Sequence, residues 1–267
     1  MLGSIVSAKK LYLMMNWRRI LERLHLIDVV PFALVICAWM FCSYILGISP
    51  VFLPTPDGTL KSFLNLLTPT FLGEHLIPST LRVGCAFLLS VAIAFPLGIF
   101  SGQFKVIARL VYPLCGFTRY LPVAAFVPLC ILWFGIDHAQ KIAVIVIGVV
   151  FQLILLFAST TASVPQELAE TGRTFGLSRF QVVRRIVLPW SAPAIWDILR
   201  ISAGWTWSYV VLAELVAGNR GIGYFIVQSQ RYLDTDRVFA GIIFIGILGA
   251  ITDFAFRWSG RRMFQWT

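Results

Sequence analysis

Six apolar runs, each near the length needed to cross a bilayer, constrain this chain more than any other feature. They cover residues 27–48, 78–102, 110–135, 142–161, 192–217 and 238–258. A hydrocarbon core of ~30 Å takes about 20 helical residues. Lipid offers the backbone no hydrogen-bond partners, so runs of this kind fold as helices that satisfy their own polar groups. Only 13% of residues are charged against 58% hydrophobic, far from the ~25% charged of a soluble domain. The expected fold is an all-α integral membrane protein with six transmembrane helices.

The basic residues orient it. The formal charge of +10 does not point to nucleic acid, because the cations fall between the apolar runs, as orientation signals do. Residues 1–26 read as a basic amphipathic segment on the cytoplasmic leaflet, with Lys9, Lys10, Arg18, Arg19 and Arg23 set against Trp17, Ile20, Leu21 and Leu24. Placing that segment, the 102–109 hinge, the 163–189 loop and the C-terminal end with Arg257, Arg261 and Arg262 on one side gathers 14 of the 22 Lys and Arg residues there. Both termini are therefore expected in the cytoplasm, and the Pro-rich 49–74 loop, with a short helix over Thr59–Gly73, outside. No cleavable signal peptide is expected at the start. The five cysteines lie inside apolar runs without a C-x-x-C pair and read as small membrane hydrophobes.

The long polar connection, 163–189, carries two helix-start signals. Ser163 with Gln166 reads as a capping box with Pro165 in its first turn; Ser178 with Gln181 repeats the device, and Gly176 suits the positive-φ turn between them. Two short helices at an angle follow, acidic early (Glu167, Glu170) and basic late (Arg179, Arg184, Arg185), as the helix dipoles favour. An ordinary surface helix-turn-helix has the same local physics.

The spacing goes further. Glu170, then Gly176, then Ile186-x-Leu188-Pro189 resembles the signature of ABC-importer permeases: Glu-Ala-Ala, three residues, Gly, nine residues, Ile-x-Leu-Pro. Thr171 and Gly172 stand in place of the two alanines, which keeps small side chains but costs helix propensity of roughly 1 kcal/mol at Gly172. The runs Arg119-Tyr120-Leu121-Pro122, Pro128-Leu129-Cys130-Ile131-Leu132-Trp133-Phe134-Gly135, Ala213-Glu214 and Gly221-Ile222-Gly223-Tyr224 look like the nitrate, sulfonate, taurine and bicarbonate class of these permeases. The resemblance implies a type I importer transmembrane domain over 75–258. It implies Glu167, Glu170, Gly176, Ile186, Leu188 and Pro189 in a cytoplasmic coupling loop that docks on an ATPase. The implied partners are a second permease copy, two ATP-binding subunits and an extracytoplasmic solute-binding protein, in the inner membrane of a bacterium. No cofactor is implied on this chain, with ATP and Mg²⁺ on the partner ATPase, and the implied cargo is a small anion.

The chain's own chemistry excludes catalysis of its own. It has no Gly-Lys dipeptide and so no Walker loop, no H-E-x-x-H and no G-x-S-x-G. His25, His75 and His138 sit at run boundaries, where solvated histidines are expected. Of the ionisable groups inside or beside the runs, Asp197 and Arg200 are expected to pair at i,i+3, and Arg82 to snorkel outward. Arg119, between helix-breaking prolines, and Glu214 are candidates for the translocation pathway, together with Pro122, Trp205 and Trp207. Two alternatives stand beside this: a secondary transporter, which needs inverted repeats and mid-membrane carboxylates, and an ABC permease for a non-anionic small molecule.

Overall fold

A computed structural model describes residues 26–216 and 218–265, and within them every regular element is a helix. The basic segment at 1–26 falls, all but its last residue, outside the described residues, as does His25. Helix α1 (Leu26–Met40) widens into a π turn at Phe41–Ile45 and stops there, so its apolar stretch, Val30–Ile45, is shorter than the expected 27–48 run. Trp39 Nε1 and Ser43 Oγ both donate to the Pro54 carbonyl, at 2.8 and 3.1 Å, folding the following loop back on α1.

The short outer helix is α2 (Pro56–Asn65), set earlier than the expected Thr59–Gly73 because Thr55 caps it, with Pro56 in the first turn. A second cap of the same kind, Thr68 followed by Pro69, then opens the long helix α3 (Pro69–Gln103), nine residues before the expected start at Pro78. Pro78 does not begin the helix but sits inside it. Proline offers no N–H and its ring crowds the carbonyl four residues back, here Glu74. Glu74 is the centre of a π turn, Leu72–Leu76. Pro189 repeats the arrangement: the residue four back, Arg185, is the centre of the π turn Val183–Val187.

Helices α4 (Lys105–Thr118) and α5 (Val123–Phe134) occupy the proline-rich third run, and they meet at 101° across residues 119–122. The sequence led us to expect a kinked span; the chain breaks there instead, because Pro122 cannot continue a helix from Arg119. Helix α6 (His138–Ala162) follows. The polar connection forms α7 (Gln166–Thr174) and α8 (Arg179–Val182), which runs through its π turn into α9 (Leu188–Leu215). Then come α10 (Ile222–Arg231), lying where the sequence suggested a helix too short to cross, and α11 (Thr235–Met263). Three of these helices, α3, α6 and α11, are long and apolar enough to span a bilayer, and the bent α4–α5 pair makes a fourth crossing if taken as one.

The core is built on α6. Gly98 and Gly102 let α3 lie against it: a β-carbon at Gly98 would stand 2.6 Å from Phe157 Cβ, and one at Gly102 2.5 Å from the Ala158 carbonyl. The G-x-x-x-G spacing at 98–102 therefore marks a close backbone crossing. On its other side α6 meets α9 through Val144, Val149, Leu153, Val210 and Ala213, all fully buried. Helix α9 is tied to α11 by two indoles: Trp196 Nε1 donates to Phe256 O at 2.9 Å, and Trp207 Nε1 to Thr252 Oγ1 at 3.0 Å. A smaller aromatic core (Phe71, Phe225 and Phe244, with Ile222 and Ile226) packs α10 between α3 and α11.

Candidate functional site

The polar loop has a core of its own. Val164, Val182 and Val187 are buried together, with Ala169, Leu177 and Ile186 against them. The second helix start forms as the sequence predicts: Ser178 Oγ accepts from Gln181 N, and Gln181 Oε1 accepts from Ser178 N at 2.8 Å. The first does not. Pro165 is the N-cap of α7 and makes no side-chain cap, while Ser163 Oγ turns back to donate to Thr160 O at 2.8 Å. Ser163 still belongs to the end of α6, whose last carbonyls compete successfully for its hydroxyl.

Gly176 takes φ +80°, with no atom within 4 Å of where a β-carbon would lie, so its requirement is conformational rather than steric. Gly172 is the opposite case. It is buried, and a β-carbon there would overlap Ile186 Cδ1 and touch Leu177 and Val182. In this chain the Ile186 methyl occupies the space that the signature's alanine would take. Leu188 and Pro189 open α9 beneath the loop. Glu167 and Glu170 are exposed, and Phe175, beside Gly176 at the tip, is 81% exposed, a bare apolar knob.

The elbow between α4 and α5 opens a half-enclosed cavity of about 630 Å³ against α6 and α9. Arg119, Pro122 and Trp205 line it, as do Gln152, Ser208 and Tyr209, which the sequence reading did not single out. Arg119 caps the end of α4 and donates from Nη2 to Tyr120 Oη at 2.7 Å, with its guanidinium carbon 4.7 Å from the Tyr120 ring centre. Among the described residues it has no carboxylate partner. Trp207 is not in this cavity; it is buried against α11.

Glu214 is not in it either. It is fully buried at the end of the bundle opposite α7, where Arg82 Nη1 approaches its Oε1 at 2.5 Å. Ser79 Oγ lies 2.8 and 2.9 Å from the two carboxylate oxygens, and Gly223 N donates to Oε2 at 2.8 Å. Arg82 also donates to Arg220 O at 2.9 Å and to His138 Nδ1 at 3.2 Å, and His75 Nδ1 faces Gly221 at 3.1 Å. Arg82 is 2% exposed and does not snorkel, and the two histidines are partnered rather than simply solvated. Gly221 (φ +121°) and Gly223 have no side chains because a β-carbon at either would run into Glu214. The network fastens the 218–223 loop to α3, α6 and α9. At the α7 end, Asp197 and Arg200 pair at 3.3 Å as expected, and Asp253 and Arg257 of α11 extend the pair into a chain of four charges.

The described residues hold no cluster of three or more metal-ligating side chains. Comparison with known proteins accounts for the arrangement. Residues 94–265 match the family described as the binding-protein-dependent transport system inner membrane component. The chain is 31% identical to the taurine transport system permease protein TauC of Escherichia coli over 94% of both chains. It is 31% identical to the putative aliphatic sulfonates transport permease protein SsuC of Bacillus subtilis over 88% of this chain and 85% of that one. Among solved structures, an inward-facing MetNI methionine ABC transporter superposes with a TM-score of 0.65 at 16% identity, covering 73% of this chain and 99% of that one. By these likenesses the chain belongs to the inner-membrane permease components of binding-protein-dependent ABC importers.

Proposed function

We propose that this permease carries a small oxyanion of the sulfonate, taurine, nitrate or bicarbonate type through the elbow cavity. The observation that carries this is Arg119: an arginine lining a cavity at the break between two apolar helices, with no carboxylate to neutralise it among the described residues. A guanidinium with no carboxylate partner, exposed at the edge of a half-enclosed cavity, draws a negatively charged occupant towards it. Gln152, Ser208 and the Trp205 indole add hydrogen-bonding groups on the facing wall. The relatives named for taurine and sulfonates support the same class.

In this reading the chain crosses the inner membrane six times with both termini in the cytoplasm, α1 and α9 adding to α3, the α4–α5 pair, α6 and α11. It works as a pair of copies, with two ATP-binding subunits and a solute-binding protein outside. The α7–α8 loop is the lever: Glu167, Glu170 and Phe175 seat in the ATPase, and Gly176 sets the angle between the two helices. The test is uptake by the importer reconstituted with its ATPase and binding protein. Wild type should take up a sulfonate or nitrate only with ATP, and Arg119→Gln should cut that uptake at least about tenfold, the loss of one charge-assisted contact of ~1.5–3 kcal/mol. Uptake that proceeds without ATP, or is unchanged in Arg119→Gln, would overturn the reading.

A further inference from the structure

Beyond the pathway, a second cationic recess lies where α4 leaves α3. One hollow of about 500 Å³ runs between the α3–α4 hinge and the coupling helix α7, with Gln103, Lys105, Tyr112, Glu170 and Arg173 among its walls. A shallower one of about 380 Å³ continues outward along α4 between Lys105, Arg109, Tyr112 and Pro113. They share Lys105, Ala108 and Tyr112 and so form one groove. Lys105, Arg109 and Tyr112 recur at helical spacing and stack on one face of α4. Among the described residues neither Lys105, Arg109 nor Arg173 makes an ion pair, and Glu170 is the one acid in the walls, which leaves an excess of positive charge.

The neighbouring stripe of the same helix is apolar and bare: Val106 is 72% exposed, Leu110 68% and Leu114 68%. One helix therefore offers a cationic groove beside a greasy, uncovered ridge, both starting at the same end of the bundle. A free anion would use the first and leave the second in water. A molecule with a phosphate head and hydrocarbon tails uses both. Groups of Lys and Arg at a membrane boundary bind anionic headgroups at ~1 kcal/mol per cation.

We infer that this groove is a binding site for an anionic phospholipid, its phosphate held by Lys105 and Arg109 beside the Tyr112 hydroxyl and its acyl chains laid along Val106, Leu110 and Leu114. The occupant lies in contact with both the first turns of α4 and the coupling helix α7, so its presence would tie the α3–α4 hinge to α7.

The experiment is native mass spectrometry of the purified importer titrated with phosphatidylglycerol or with phosphatidylcholine of the same chains. Wild type should retain phosphatidylglycerol preferentially, and Lys105→Ala/Arg109→Ala should weaken that retention about 25-fold, two cations' worth. Lys105→Arg/Arg109→Lys should restore it. Arg261→Ala/Arg262→Ala, which removes the same charge from α11, should leave it unchanged. Millimolar inorganic phosphate should not displace the lipid. Retention that is equal in wild type and Lys105→Ala/Arg109→Ala, or lost equally in the α11 variant, would overturn the site. So would displacement by inorganic phosphate alone. A photo-crosslinking amino acid at Ala108 should capture lipid in native membranes; capture of a second permease copy or of the ATPase instead would show that protein covers the groove and refute the assignment.

Discussion

The two ends of the bundle hold their polar groups in opposite ways. At one end, the α7–α8 loop satisfies its polar groups locally: a capping box closed within four residues, a positive-φ glycine and a three-valine core drawn from 24 residues of chain. At the other end, the Glu214 carboxylate is satisfied only by groups from afar. Ser79 and Arg82 lie 135 and 132 residues away in sequence, and Gly223 is the nearest donor at nine. The first end presents exposed acids and a bare Phe175 to whatever docks there, whereas the network at the second end hides its ions, Arg82 and Glu214 both being buried. A local, exposed motif can move as a unit without unpairing anything. A dispersed, buried network must open all at once or stay shut, because each group left behind is an orphan in low dielectric.

The largest effect should therefore come from breaking the buried end by one partner. Glu214→Ala leaves the Arg82 guanidinium, Ser79 Oγ and Gly223 N–H without their acceptor, and removing one member of a buried pair costs ~3–5 kcal/mol. Replacing both charges by apolar groups of similar volume, Arg82→Met/Glu214→Leu, should be milder than Glu214→Ala, since no buried charge is stranded. Unfolding midpoints of the purified permease rank the three proteins. A double variant less stable than Glu214→Ala would mean that the stranded charge is not the main loss, and that the bonds of Arg82 to Arg220 O and His138 hold the loop in their own right.

This contrast also decides what was readable in the sequence. Ser178–Gln181, Gly176 and the Asp197–Arg200 pair were legible because each is settled within a few residues. The G-x-x-x-G spacing at 98–102 permits a close approach but does not name its partner, Ala158 with Phe157, which only the fold supplies. Arg82 and Glu214 were each noticed and given different roles, one snorkelling and one in the pathway. The run order carried the missing signal: the run with Arg82 at its start and the run with Glu214 at its end reach the same side of the membrane, so the two ions belong together. The Ser163 cap failed for a local reason, competition from the preceding turn of α6, that helix-start patterns do not weigh. Gln152, Ser208 and Tyr209 carry no pattern at all; they matter because the Pro122 break turns a cavity towards them.

A smaller effect on folding, but a large one on function, is expected at the tip of the exposed end. Gly176 stands at φ +80° with open space around it. A β-branched residue there faces only the left-handed backbone penalty of ~1–2 kcal/mol, relieved by changing the angle between α7 and α8. Gly176→Val should insert normally yet lose ATP-dependent uptake per inserted permease, whereas Gly176→Asn, which tolerates this conformation, should keep most of it. Wild-type uptake per permease in Gly176→Val would remove the loop from the coupling path.

The smallest expected effect tests how the loop's private core tolerates its departure from the signature. Gly172→Ala recovers helix propensity of ~1 kcal/mol in α7 but sets a methyl against Ile186 Cδ1. That atom is the end of a half-buried side chain, so it can swing aside at an off-rotamer cost of ~0.5–1.5 kcal/mol, and the single substitution should be close to neutral. Ile186→Val alone removes the methyl that fills the Gly172 gap and should cost ~0.5–1.5 kcal/mol. Together the two changes trade one methyl for another across the same gap while keeping the propensity gain. The double variant should therefore be more stable than the sum of the singles by ~1 kcal/mol, a coupling expected only of residues in contact. Hydrogen exchange of the 164–187 amides reads this locally, because the loop core can open without the bundle. Strict additivity would show that Ile186 does not fill the alanine's place, and that the signature's missing methyl is simply absent from this loop.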